Sequence, residues 1–133
     1  MSGLARTVQA MTDTHHTAQQ FFDRYADALL ARDEQAIAKM YAIPALILFP
    51  GAAIPVTDAR QTEEFFASSW SQYDGVDALD KRVAIMAEAP GSIWVDVTWS
   101  YGGRTRERFC YQLIGGPDGY QIAVLTPLEP TPQ

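Results

Sequence analysis

The chain has 133 residues, enough for one domain with a single core and too few for two. Hydrophobic residues make up 47% and aromatic residues 11%, which excludes a disordered chain, and a formal charge of −6 with no run of Lys or Arg argues against nucleic acid as a partner. No apolar stretch reaches the length of a bilayer span, and one cysteine, Cys110, allows no internal disulfide, so the expectation is a cytoplasmic protein that does not enter membranes.

Residues 1–13 are polar and alanine-rich, without the apolar centre of a secretory signal, and read as a flexible N-terminal arm in which Met11 is a second candidate start. From Thr14, a plausible N-cap, the pattern turns helical, with Ala18, Phe22, Tyr25 and Leu29 on one stripe and Phe21 and Ala28 beside it. His15 and His16 diverge by about 100° on such a helix and cannot easily chelate one ion, and no third ligand follows at helical spacing. No metal site and no cofactor are expected.

The first helix should end near Arg32, with Asp33 capping a short second helix that buries Ile37, Met40 and Tyr41 and stops at Pro44. Ala45 to Phe49 is a short apolar run that reads as a strand covered on both faces. Ala53 to Val56 follows as an edge strand, because Pro55 cannot donate to a ladder. Asp58 and Gln61 form a capping-box signature for a third helix with the stripe Thr62, Phe66, Trp70 and Tyr73, ended by Asp74-Gly75.

Four β-rich runs complete the chain: Lys81–Ala89, Ser92–Tyr101, Thr105–Ile114 and Tyr120–Thr126, separated by Gly- and Pro-rich turns. Ile93, Val95, Val97, Trp99 and Tyr101 share one face of the second run, and Phe109, Tyr111 and Leu113 share one face of the third. Matching these faces pairs Val97 with Phe109 and Val95 with Tyr111, which requires a three-residue loop of Gly102, Gly103 and Arg104. The other face of these strands mixes Trp94, Asp96, Thr98, Arg108, Gln112 and Leu125. The fold class is therefore α+β, three helices packed on a curved, mostly antiparallel sheet with a β-meander in its C-terminal half. One domain spans residues 14–128, and residues 129–133 form an irregular tail.

This order of elements resembles the nuclear transport factor 2-like superfamily, a cystatin-like cone that includes ketosteroid isomerases and SnoaL-like polyketide cyclases. The likeness is strongest from Asp23-Arg24-Tyr25 through Asp33 to Ile37, Met40-Tyr41-Ala42 and Pro50. It implies that Tyr25 stands where the isomerases place a hydrogen-bond-donating tyrosine. It also implies that Phe49 and Phe109 replace their two catalytic carboxylates. A phenyl ring cannot move a proton, so isomerase activity is not expected. The resemblance further implies a homodimer formed through the convex sheet face.

Three functional readings remain open. The first is a small-molecule-binding domain whose largely apolar pocket is lined by Tyr25, Tyr41, Phe49, Trp70, Trp99, Glu107, Phe109 and Tyr111, taking a hydrophobic small molecule. The second is a non-enzymatic dimeric interaction module. The third is a cyclase- or dehydratase-type enzyme acting through Glu107 and Tyr25. Glu107 falls opposite Trp99 on the concave face, where dryness would raise its pKa; the plainer alternative pairs it with Arg104 or Arg106 in solvent at the hairpin end.

Overall fold

The computed structural model describes residues 3–102 and 104–129, with side chains for 13–102 and 107–129. Its elements are α1 (Gly3–Leu30), α2 (Glu34–Ala38), β1 (Tyr41–Phe49), β2 (Ala52–Val56), α3 (Ala59–Ser69), a 3-10 turn (Trp70–Tyr73), β3 (Asp80–Ala89), β4 (Ser92–Tyr101), β5 (Arg104–Gly116) and β6 (Gly119–Pro127). The strands form one sheet in the order β2-β1-β6-β5-β4-β3, and only the β1–β6 pairing is parallel. Among the described residues no helix is long and apolar enough to cross a membrane.

Helix α1 carries the stripe expected of it: Ala18, Phe21, Phe22, Tyr25, Ala28 and Leu29 are all buried. It starts at Gly3, however, so residues 3–13 belong to the helix and Thr14 is not its N-cap. Leu4 to Asp13 contains no glycine or proline, and its Leu, Ala, Arg, Gln and Met residues extend a helix without penalty. The Thr14 hydroxyl instead donates to a Glu88 carboxylate oxygen of β3 at 2.6 Å. His15 and His16 are exposed, and His15 Nε2 donates to the Val83 carbonyl at 3.1 Å. The residues expected to form a tail lie outside the described residues from 130 onward.

Asp33 caps α2 by accepting from Ala36 N at 3.0 Å, and Asp58 and Gln61 close the capping box on α3. The second helix nevertheless ends at Ala38, and the strand begins at Tyr41, so Pro44 lies within β1 rather than stopping a helix. The parallel register with β6 breaks between Tyr41 and Leu46, and pairing with β2 begins only at Ala45. Pro44 occupies that gap, where a missing N–H removes no ladder bond. Strand β1 is not covered on both faces either, because Ile43 and Phe49 are exposed.

The β4–β5 register is the expected one, with Val97 opposite Phe109 and Val95 opposite Tyr111. The expected three-residue loop is not present. Tyr101 pairs directly with Arg104, and the extra residue is absorbed lower down, where Trp99 faces Glu107 and Ser100 faces Thr105. A bulge at Arg106 thus restores the alternation that a two-residue connection would have reversed. A second register shift lies between β5 and β6, where Gln112 faces Val124 and Leu113 faces Ile122. It turns Leu125 inward, to 6% exposure, instead of leaving it on the convex face.

Val95, Val97, Leu113 and Ile122 are completely buried beneath α1, with Phe22 and Tyr111 in ring contact at 4.7 Å. On the opposite sheet face, Asp96 accepts from Arg108 Nε at 3.0 Å and Nη2 at 2.6 Å. Cys110 is half-buried there, its thiol pushed up by burial and then by the charge of Asp96, which disfavours the reactive thiolate. The side chains of Arg104 and Arg106 lie outside the described residues.

Candidate functional site

Between α1, α3 and the concave side of the sheet is a cavity of about 360 Å3. Its inner end is formed by Tyr25 and Leu29 of α1, Tyr41 of β1, Trp99 of β4 and Tyr111 of β5, all buried. Its mouth is flanked by Phe49, Ile54 and Phe65, whose exposures of 37%, 43% and 51% make an apolar collar open to solvent. Apolar side chains at such exposure are ordinary singly, and here three lie around one opening.

The polar groups of the interior are phenols, an indole and one carboxyl. The Tyr25 and Tyr41 hydroxyls share a hydrogen bond of 2.8 Å. Two hydroxyls have two protons and one bond uses one of them, so the pair retains a donor. Trp99 Nε1 donates to the Tyr111 hydroxyl at 3.0 Å, and the Tyr111 proton has no acceptor among the described residues. Burial raises the pKa of Tyr25, Tyr41 and Tyr111, and Tyr73 is pushed up to about 12 by burial and then by the nearby charges of Glu107 and Tyr101. All four phenols therefore stay protonated at neutral pH and act as donors.

Glu107 stands opposite Trp99 and lines the cavity. One flank of the residue is exposed, yet desolvation by the wall raises its carboxyl pKa. It makes no hydrogen bond or ion pair with any described residue.

The lower wall owes its position to Arg32, which has φ 54 just past the end of α1. Its guanidinium donates to the carbonyls of Leu29 at 3.3 Å, Leu30 at 3.0 Å and Val76 at 3.1 Å, and also to that of Tyr73. The cation lies 5.7 Å from the centre of the Tyr73 ring.

Of the sequence-derived candidates, Tyr25, Tyr41, Phe49, Trp99, Glu107, Phe109 and Tyr111 line this one cavity. Trp70 does not. Helix α3 tightens into the 3-10 turn at Trp70, and the indole packs on Phe66 and Tyr73 while its Nε1 donates to Glu34 of α2 at 3.4 Å. Thr62, Phe66, Tyr73, Tyr101 and Leu125 line the cavity without having been singled out. Thr62, Phe66 and Tyr73 were already on the α3 stripe and Tyr101 on the concave β4 face, so the signal for those four was present. For Leu125 the register shift between β5 and β6 concealed it.

Residues 13–130 match the family model of NTF2-like proteins DUF6841. The chain belongs to that family. Similar solved structures include a domain of unknown function with a cystatin-like fold from Nostoc punctiforme, at TM-score 0.63 and 15% identity, covering 85% of this chain and 75% of that one. A DUF4783 family protein from Bacteroides ovatus superposes at TM-score 0.59 and 15% identity, covering 82% and 94%. A de novo designed protein with a curved β-sheet does so at TM-score 0.58 and 12% identity, covering 84% and 99%. No curated protein matches the chain. At such identities the shared property is the fold, a cystatin-like α+β cone, and a fold of this kind carries no activity by itself.

Proposed function

We propose that this NTF2-like domain binds a small, largely apolar molecule in its cone. The observation that carries the reading is the cavity of about 360 Å3, apolar in most of its lining, with phenol protons left uncommitted at its inner end. That combination is the usual build of a ligand site: apolar walls supply the affinity and a few fixed polar groups supply orientation. A carbonyl or hydroxyl oxygen on the guest would accept from Tyr111 and from the Tyr25–Tyr41 pair.

The two positions where the isomerases hold carboxylates are phenyl rings in this wall, which favours binding over proton transfer. An acid–base enzyme working through Glu107 and Tyr25 is less well supported, because the Tyr25 hydroxyl is already engaged with Tyr41. An interaction module paired through the convex face is weaker too, since Arg108 has its carboxylate partner within its own chain.

The test is a thermal-shift screen with steroids, polyketides and small aromatics on the wild-type chain and on Val56→Phe. Val56 is buried and lines the cavity, so a phenyl group there fills existing space. At least one apolar compound should raise the Tm of the wild type and not of the variant, with the unliganded Tm of the two within a few degrees. No shift across the screen, or equal shifts in both proteins, would sink the reading.

A further inference from the structure

Among the described residues lining the cavity, Glu107 is the one that carries a formal charge. It lies among π faces: Trp99 directly across the ladder, Phe109 next to it on the same face of β5, and Tyr73 and Tyr101, whose rings are 6.0 Å apart. Arg32, the cation that touches Tyr73, spends its guanidinium on four main-chain carbonyls. No described residue neutralises the carboxylate.

Aromatic faces carry negative potential, and a carboxylate without an ion-pair partner among the described residues adds to it. Such a wall repels anions and gives a neutral guest nothing to offset the partly desolvated carboxylate. A cation answers both the carboxylate and the rings. Burial has already raised the carboxyl of Glu107, and an arriving positive charge would offset that penalty.

We propose that the guest is an organic cation, an ammonium group on an apolar body, held with its charge between the Glu107 carboxylate and the rings of Trp99 and Tyr101. This rests on the binding reading above and adds the chemical class of the ligand. The body occupies the apolar interior, and the collar of Phe49, Ile54 and Phe65 admits it.

The test uses two probes of the same shape, phenyltrimethylammonium and its uncharged isostere tert-butylbenzene, titrated separately into the full chain and followed by calorimetry and tryptophan fluorescence. The cation should bind at least about tenfold tighter than the isostere, the scale expected of a desolvated cation–π contact reinforced by a carboxylate. Glu107→Gln should bring the two within about twofold by weakening the cation alone. A second measurement needs no variant. On the wild type, affinity for the cation should fall as pH drops through the raised pKa of Glu107, while affinity for tert-butylbenzene stays constant.

The phenols of Tyr73 and Tyr111 on the same wall are pushed up by burial and stay protonated across that range. No histidine lines the cavity. Equal affinities for the two probes, or a cation affinity indifferent to both pH and Glu107→Gln, overturn the cation proposal and leave the apolar pocket standing. Binding of neither probe overturns this proposal, and an empty thermal-shift screen is what separates that result from a pocket of different specificity.

Discussion

The two halves of strand β4 lie on the same face of the same sheet, yet one is sealed and the other is hollow. Ile93, Val95 and Val97 are 3%, 0% and 0% exposed, while Trp99 and Tyr101 further along bound the cavity. Alternation along the strand sends all five side chains inward. What differs is the cover. Over the sealed half, the aliphatic side chains join Phe21 and Phe22 of α1 in one buried cluster. Over the hollow half, Tyr25 and Leu29 approach from one side and α3 from the other. The rings there meet at 5.9–6.5 Å between centroids, as Tyr25 does with Trp99 and Phe66, around a volume that none of them fills. Large rings held apart by their own bulk make a pocket where smaller residues would have closed.

The largest effect that would test this division is expected from Phe22→Ala. Phe22 is fully buried and its ring meets those of Phe21, Tyr25, Trp99 and Tyr111. Its loss should cost about 3–5 kcal/mol in urea unfolding. A cost near zero would mean that the sealed half is no better packed than the hollow one. At the boundary, Tyr25→Phe keeps the ring and leaves the buried Tyr41 hydroxyl without its partner, for a loss of about 1–3 kcal/mol.

Glu107→Gln at the hollow end should act in the opposite direction. A carboxyl whose folded pKa lies above its unfolded value destabilises the fold while ionised. The variant should therefore melt slightly higher than the wild type at pH 7. The difference should shrink as pH falls through the folded pKa of Glu107 and vanish below the ordinary glutamate range. A lower Tm for the variant at neutral pH would show that the carboxylate has a stabilising partner.

Much of this fold was legible in the sequence. The β4–β5 register followed from matching two apolar faces, and the caps at Asp33 and Asp58 followed from their side-chain chemistry. What could not be read was geometry that conserves the pattern while changing its bookkeeping. The bulge at Arg106 preserved the register with a shorter connection, and the shift before Val124 turned Leu125 inward. Pro44 was misread because a proline in a strand is harmless only where the ladder is already interrupted, and that depends on β6, some eighty residues away. Trp70 obeyed its helical stripe until the helix tightened. The aromatic inventory of the site was visible, but whether those rings enclose space or fill it depends on how far α3 stands from the sheet, which no local pattern encodes.

The four hydrogen bonds by which the Arg32 guanidinium holds one end of the hollow half all end on main-chain oxygens. Every residue type offers the same carbonyl, so these hydrogen bonds are indifferent to the side chains of Leu29, Leu30, Tyr73 and Val76, and only the contact of the cation with the Tyr73 ring depends on one of them. Evolution or an engineer can therefore exchange the residue at position 73 and its neighbours to suit a new guest while the frame that holds them keeps its place. Within this one domain, the part that sets shape and the part that sets taste have been assigned to different atoms.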